Sequence, residues 1–413
     1  MKMSSIIASS RRHAGLTALL LAPLLLAGCG GSSSGTSVTN SGVCAEFDCP
    51  AMLTNLGENI MLPAMEDFSV QSAALEQAAL DYQQALRDSG GDEVPQAKND
   101  FQTAWQQAIL AWQSVEVMQV GPLVDGPREL RNEIYSWPST STCAVDQEVI
   151  AAEVDNYDIS DVTPLRKGLD ALEYLLYTAD LNETCPDNVD SVQNWNNRLD
   201  SDKRQTRADF AVHVAAGINS RGSELVNAWK GTDGYLAKLS DPEAAGSGFS
   251  SAQDAVNTVS DALFYIEKQV KDIKLAEPLG IKGTCDNACP ELVENPLSQR
   301  SKEHVRQNMV AFQSLFLGNA ADSTEARLGF DDLLNAASGE NVAGAMETDI
   351  NATLDEIANL SGSFFAALDG AATGREQIQV IHDKAKKVTD RLKEDFLTVI
   401  GLSIPDAAAG DGD

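Results

Sequence analysis

Apolar residues recur every three or four positions along most of this 413-residue chain. This spacing gives each helix one apolar stripe, which suits helices that pack together in a bundle. Four series show it most clearly: Phe101, Trp105, Ala108, Trp112, Val115; Val256, Val259, Leu263, Ile266, Val270, Ile273; Leu354, Ile357, Ser361, Phe364, Leu368; and Ile378, Ile381, Ala385, Val388, Leu392. Strand-like alternation is nearly absent. The pattern predicts an all-α fold.

Glycine and proline residues divide this pattern into separate predicted helices. We expect helices at 52–89, 95–119, 145–157, 162–179, 188–229, 251–276, 300–317, 324–336, 341–369 and 374–400. The Pro- and Gly-containing loop at 241–248 predicts the main domain boundary. It separates an N-terminal helical bundle at 51–240 from a C-terminal helical bundle at 241–402, although the helix at 251–276 could belong to either half. An acidic tail at 403–413 follows.

The first 28 residues are typical of a secretory signal peptide. Lys2, Arg11 and Arg12 precede an apolar run that is too short to span a bilayer permanently, and small residues follow it. Cys29 comes directly after Leu-Ala-Gly, so the site resembles the lipobox of bacterial lipoproteins, in which the cysteine is lipidated and becomes the new N-terminus. The alternative is an ordinary cleaved signal with a coincidental cysteine.

Residues 29–50 predict a lipidated cysteine followed by a flexible tether. Gly and Ser dominate residues 30–42, which leaves almost nothing to bury. Gly30 stands where an aspartate is associated with retention at the inner membrane. We therefore expect a bacterial cell-envelope protein that is held by the lipid on Cys29, at the outer membrane and facing the periplasm. A surface-exposed orientation stays open.

The chain is strongly acidic, with a formal net charge of −31 at pH 7. A surface with this charge is repelled by phosphate backbones, so we expect no nucleic-acid partner. Cationic ligands are favoured by the same field, although high acidity in general serves solubility.

The seven cysteines are typical of an oxidising compartment. Once Cys29 is set aside, the simplest of the possible pairings is Cys44–Cys49, Cys143–Cys185 and Cys285–Cys289, in which two short loops close locally. A zinc site is less expected, because no two cysteines lie two residues apart and no histidine is nearby.

Four segments carry a recognisable order of motifs: Ala104-Trp105…Ala111-Trp112…Glu116…Gly121-Pro122-Leu123; Glu133-Ile134-Tyr135-Ser136-Trp137-Pro138; Gly168-Leu169-Asp170-Ala171-Leu172-Glu173-Tyr174-Leu175-Leu176; and Val293-Glu294-Asn295-Pro296-Leu297-Ser298-Gln299-Arg300-Ser301 with a helix ending Phe316-Leu317-Gly318. Together they resemble the imelysin family of bacterial envelope proteins, from about Met52 to Leu402. The resemblance implies two helical-bundle domains with a cleft between them, and a link to iron-regulated uptake or to a disputed peptidase activity.

The third segment departs from the family's Gly-x-His-x-x-Glu pattern. Gly168 and Glu173 match it, whereas Asp170 stands where the family has histidine. This change argues against a zinc site built on that histidine.

Two carboxylates three residues apart, Asp170 and Glu173, share one face of a predicted helix. Such hard oxygen ligands suit iron or calcium better than zinc. Glu116 and Glu294 lie in family-like segments and are the further metal ligands we would test. The alternative is structural: Asp170 could pair with Arg166 on an exposed face, and Glu173 could pair locally.

The sequence gives less support for a catalytic role. After signal removal His213, His304 and His382 are widely scattered, and none precedes a glutamate by three positions. The nucleophile elbow of serine hydrolases does not occur, and every mature cysteine has a disulfide partner in the simplest pairing.

Aromatic residues near these motifs are candidates for a ligand cleft. Trp105, Trp112 and Trp137 could line it, together with Gly168 and with Tyr177 one turn beyond Glu173. At helical spacing Trp105 and Trp112 are more often core anchors.

From these features we expect an imelysin-like, periplasm-facing lipoprotein that is a non-enzymatic binding component of the envelope. Its ligand is expected to be a metal ion related to iron, and an envelope iron-uptake system is the expected partner. One alternative is an imelysin-type metallopeptidase. A second alternative is a structural, partner-docking lipoprotein with a degenerate site.

Overall fold

The computed structural model describes residues 42–320, 327–370, 372–402 and 405. Within these residues the chain forms α-helices, short 3-10 helices and π-helical segments, without any strand. This confirms the predicted all-α class. The expected signal peptide, Cys29, the tether up to residue 41 and the tail, except for residue 405, lie outside the described residues.

The first half of the fold runs to residue 240. Its helices are α1 (Cys49–Asn55), α2 (Leu62–Asp88), α3 (Pro95–Val117), α4 (Glu129–Ile134), α5 (Thr142–Ala151), α6 (Leu169–Tyr177), α7 (Asp200–Lys230) and α8 (Tyr235–Ser240). A π-helical segment, Leu56–Met61, connects α1 directly to α2. The predicted helices 52–89 and 95–119 are confirmed.

The second half follows the predicted loop at 241–248. Its helices are α9 (Ala252–Leu263), α10 (Ser301–Leu317), α11 (Phe330–Ala336), α12 (Glu340–Asn359), α13 (Phe364–Asp369), α14 (Ala372–Arg391) and α15 (Leu397–Ile400). A long π-helical segment, Ile266–Ala276, continues from α9, and a shorter one, Leu392–Phe396, joins α14 to α15. The predicted helices 251–276, 300–317 and 374–400 are confirmed with these local changes of winding.

Helix α6 is shorter than the predicted helix 162–179. Pro164 begins a separate 3-10 turn, and Gly168 has a φ of +96°, a conformation that side-chain-bearing residues rarely adopt. The helix therefore begins only at Leu169. This boundary matters, because Asp170 then lies in the first turn of α6.

Two other predicted helices are interrupted. Residues 188–199 form 3-10 turns and connecting loop, so α7 begins at Asp200. The predicted helix 341–369 is broken after Asn359, where Gly362 has a φ of +79° and the Ser363 hydroxyl accepts a hydrogen bond from the backbone N–H of Ala366. Ser363 is therefore the N-cap of a separate helix, α13.

Helices from both halves pack around one continuous core. Helix α2 packs against α3 and α7, α3 also packs against α10, and α14 packs against α12 and the Ile266–Ala276 segment. The buried apolar side chains form a single cluster that includes residues from both sides of position 240. The division into two domains at 240/241, and the cleft between them, stay predictions.

The three predicted disulfides are confirmed: Cys44–Cys49, Cys143–Cys185 and Cys285–Cys289. The second joins α5 to the loop after α6. Over the described residues, no helix has the length and apolar character needed to cross a bilayer.

Candidate functional site

A buried lysine lies at the centre of the motif segments. The Lys274 ammonium group, on the Ile266–Ala276 segment, is 3.0 Å from Glu294 Oε1 and 3.3 Å from Glu116 Oε2. It also donates hydrogen bonds to Gln113 Oε1 at 2.7 Å and Asn308 Oδ1 at 2.9 Å. These side chains are almost completely buried. Lys274 therefore joins α3, α10 and the segment around Glu294 through one charged group.

Glu294 is held as a carboxylate despite its burial. Burial by itself raises the pKa of Glu294, but the charge of Lys274 and the interactions with His304 and Tyr135 outweigh burial and lower the pKa to about 2. Its Oε1 atom also accepts hydrogen bonds from Tyr135 at 2.8 Å and Gln113 at 3.1 Å. Its Oε2 atom is 3.4 Å from His304 Nδ1. Glu294 is thus ionised, with its donors gathered at Oε1, while Oε2 is buried without a hydrogen-bond partner.

Tyr135 and Asn295 connect this cluster to α6. The Tyr135 hydroxyl is 3.0 Å from Asn295 Oδ1, and Asn295 Nδ2 donates to Glu173 Oε2 at 2.9 Å. The backbone N–H of Ser298 donates to the other Glu173 oxygen at 2.8 Å. Burial raises the pKa of Glu173, and the hydrogen bonds from Asn295 and Ser298 oppose that rise. The idea that Glu173 pairs locally is therefore wrong, since its partners lie more than 100 residues away.

Asp170 has a separate set of partners. Its Oδ2 atom accepts a hydrogen bond from Ser136 Oγ at 3.1 Å and another from the Thr140 hydroxyl, and its Oδ1 atom accepts from the N–H of Ala171. Burial raises the pKa of Asp170 to about 6. The suggested pairing with Arg166 is wrong, because Arg166 instead pairs with Glu148 at 3.1 Å.

The four predicted metal ligands do not converge on one point. Glu116 and Glu294 share Lys274, Glu116 also pairs with Arg131 at 3.0 Å, and Asp170 is bonded to hydroxyl groups. In the described part of the chain, no three His, Cys, Asp or Glu side chains are arranged to hold a metal ion. Because a metal would have to replace Lys274 between two glutamates, the arranged donor set does not fit iron or calcium.

The predicted cleft aromatics fall into two groups. Trp105 and Trp112 are fully buried: Trp105 donates to the carbonyl of Leu169 at 2.7 Å, and the ring of Trp112 packs against Phe68. Both tryptophans therefore lie in the core, as expected for core anchors. Tyr177 packs its ring against Trp105 and accepts a hydrogen bond from Gln106. Tyr177 therefore belongs to the wall of the same core.

Trp137 is half-buried and lines a surface cavity. The cavity also takes in Arg131, Pro164 and, from the second half of the chain, Gln269 and Ile273. Gly168 ends the loop before α6, and a Cβ atom placed there would lie 2.9 Å from both Asp170 Oδ1 and the carbonyl oxygen of Ile134. Gly168 therefore allows the backbone to pass close to the Asp170 carboxylate.

Comparison with known protein families identifies the family to which this chain is similar. The family model described as Imelysin matches residues 61–392, which is most of the chain. This chain belongs to the imelysin family. All four motif segments lie within the matched region, so the buried network is formed by residues of the imelysin domain itself.

Solved structures agree with the imelysin fold. One is an imelysin-like protein from Psychrobacter arcticum 273-4, with a TM-score of 0.61 at 15% identity, over 86% of this chain and 96% of that one. Another, from Parabacteroides distasonis ATCC 8503, is named as a putative iron-regulated protein A precursor, with a TM-score of 0.60 at 16% identity, over 86% and 94%. Comparison with curated proteins finds no match.

Lys274 of this imelysin was not among the residues predicted from the sequence. It follows Val270 by four residues, which places it on the apolar stripe of its helix, where a lysine is rarely buried without a partner. The position of Lys274 on this stripe is the sequence feature that could have identified it. Gln113, His304 and Asn308 gave no comparable signal, because their roles depend on contacts between α3, α10 and the Ile266–Ala276 segment.

Proposed function

We propose that this imelysin-family chain is a lipid-anchored, non-enzymatic binding component of the bacterial cell envelope. In this proposal the motif residues Glu116, Glu173 and Glu294 form the rigid polar core of the domain. The observation that carries it is the position of Lys274 between Glu116 and Glu294. The chain keeps the ligand-binding role expected from the sequence, and the three motif glutamates have a structural role within it.

The buried charges of this core are balanced by groups of the protein. A buried carboxylate is tolerated where a counter-charge and hydrogen bonds compensate its lost hydration. Lys274 and Arg131 provide the positive charges, while Gln113, Tyr135 and Asn295 donate hydrogen bonds to the carboxylates. A metal ion bound here would leave Lys274 buried beside a like charge.

Metal titration tests this role of the motif. Calorimetry of Fe³⁺, Fe²⁺, Ca²⁺ and Zn²⁺ is run on the purified full chain and on the Asp170→Ala, Glu173→Ala and Glu294→Gln variants. We expect no stoichiometric binding that depends on these carboxylates. Tight binding of one ion that disappears in Glu294→Gln would contradict the proposal. Casein cleavage in the same samples, sensitive to a chelator and lost in Glu173→Ala, would favour the metallopeptidase alternative.

The lipid anchor has its own test. We expect the wild-type protein to incorporate radiolabelled palmitate and the Cys29→Ser variant to incorporate none, because only the cysteine is a substrate for lipidation. Ser32→Ala, in the same stretch, is the matched control and should be labelled like the wild type. A wild-type protein that incorporates no palmitate would remove the support for a lipoprotein and favour an ordinary cleaved signal.

We also propose that this binding role is linked to iron supply, with an envelope iron-uptake system as the partner. The support is the family resemblance and the name of the Parabacteroides neighbour, a putative iron-regulated protein A precursor. The test compares the amount of this protein in iron-limited and iron-replete cultures, with zinc limitation as the control. An unchanged amount under iron limitation would count against the link.

A further inference from the structure

A cavity of about 260 Å³ lies at the far end of α6 from Asp170, between α3 and α7. Its lining contains three basic side chains, Lys98, Arg204 and Arg207, against one acidic side chain, Glu93. In a chain with a net charge of −31, such a local excess of positive charge runs against the overall composition. The cavity therefore needs an explanation of its own.

Two of the basic groups in this cavity are not neutralised by neighbouring carboxylates. Within the described residues Lys98 forms no ion pair, and Arg204 is held through a hydrogen bond from its Nε atom to the carbonyl of Gly91 at 2.9 Å. By contrast, the cavity lined by Lys167 and Arg221 has its two cations paired with Glu133. The positive charge of the α3–α7 cavity is thus available to a ligand.

Arg207 is built into the cavity wall. It is only 4% exposed, its guanidinium pairs with Asp146 at 3.2 Å, and it donates to the carbonyl oxygen of Asp180 at 3.1 Å. Its Nε–H, however, is buried without a hydrogen-bond partner. A buried donor left unpaired is costly, and an anion is the natural partner for a guanidinium N–H.

Apolar side chains form one side of the remaining lining, which also contains the uncharged polar side chains of Tyr82, Asn99, Gln102 and Thr178. Phe101, Leu176 and Ala211 are buried behind the cavity, and Pro95 and Leu175 complete that side. Pockets for small organic ligands combine an apolar wall with a few placed polar groups in this way. An inorganic anion would use only the basic side of the lining.

We propose that this cavity binds a small organic carboxylate, whose charged group contacts Lys98, Arg204 and Arg207 and whose apolar body packs against Phe101 and Leu176. The site is separate from the Lys274 network. Its test therefore does not depend on whether the motif binds metal.

The probe is 4-fluorobenzoate, followed by fluorine NMR on the full chain purified from membranes in a non-ionic detergent, with detergent alone as the blank. We expect saturable binding, and about tenfold weaker binding of the neutral 4-fluorobenzyl alcohol, the factor expected for one charge-assisted hydrogen bond. Equal binding of both probes, or no saturable binding of either, would overturn the proposal. Displacement of the probe by equimolar inorganic phosphate would also overturn it, in favour of an inorganic-anion site.

Variants locate the binding. We expect Lys98→Gln and Arg204→Gln each to weaken 4-fluorobenzoate binding by about tenfold, while Lys238→Gln, which removes the same charge elsewhere on the chain, leaves it unchanged. Glu93→Gln should strengthen binding, and its exposed neighbour Asp92→Asn should not. Equal effects of the cavity variants and their controls would show a response to net charge alone and overturn the assignment.

Discussion

Lys274 and Glu294 form a fully buried ion pair with 3.0 Å between Nζ and Oε1. The pair joins the π-helical segment Ile266–Ala276 to the loop before α10, and Glu116 of α3 shares the same lysine. Buried pairs of this kind are no guarantee of high stability, since both charges have lost their hydration. Removing one partner is nevertheless strongly unfavourable, because the other charge stays buried.

Replacing Glu294 should therefore destabilise the fold strongly. We expect Glu294→Gln to lower the free energy of unfolding by about 3 kcal/mol, the usual cost of breaking a buried pair. Urea unfolding followed by circular dichroism measures it. The control is Glu66→Gln, which removes an exposed pair with Lys230 and should cost at most about 1 kcal/mol. Equal losses in the two variants would contradict the structural role of the network.

The Asp170 carboxyl predicts a pH dependence of opposite sign to that of most carboxylates. Its pKa is raised by burial from 3.8 to about 6, so the folded state binds the proton more tightly than the unfolded state. The stability from this group is present at low pH and is lost as the pH rises from about 4 to about 6, by roughly 2 to 3 kcal/mol.

Comparison with Asp170→Asn isolates this effect, because other titrating groups cancel in the difference. Urea unfolding at pH 4, 5, 6 and 7 should show the wild type losing stability relative to Asp170→Asn across that interval. The exposed Asp67→Asn variant should run parallel to the wild type. A constant difference between the wild type and Asp170→Asn would show that the pKa of Asp170 is not raised.

Gly168 is expected to tolerate no side chain. Its φ is +96°, and a Cβ atom at this position would lie only 2.9 Å from Asp170 Oδ1. We therefore expect Gly168→Ala to lower the free energy of unfolding by about 1 to 3 kcal/mol. The matched control is Gly344→Ala in α12, where a Cβ meets nothing within 4 Å. It should stabilise the protein by about 0.5 to 1 kcal/mol. Thermal unfolding of both variants checks the opposite signs.

The Cys143–Cys185 disulfide spans 42 residues and should contribute more than the local Cys44–Cys49 bridge. Chain-entropy arguments give about 4 kcal/mol for a loop of this length and about 1 to 2 kcal/mol less for the short one. Paired Cys→Ser replacements at each bridge, compared by urea unfolding, test the order. A larger loss at Cys44–Cys49 would contradict it.

The periodic placement of apolar residues determined much of this fold from the sequence alone. The all-α class, most helices and the two short disulfides follow from local spacing, because an apolar stripe, a helix end and a short cysteine loop are properties of neighbouring residues. The pairing of Cys143 with Cys185 was then the one that remained. The motif order likewise identified the family, which the match over residues 61–392 confirms.

Tertiary structure alone decided what the motif residues do. Asp170 and Glu173 share a helix face as the sequence indicates, yet their partners come from distant segments: Ser136 for the first, and Asn295 for the second. The lysine between Glu116 and Glu294 is more than 150 residues from Glu116. Helix periodicity fixes which face of a helix is buried, but only packing between helices determines which charged groups meet. That packing decided that Glu116 and Glu294 share a lysine, while Asp170 and Glu173 have uncharged partners.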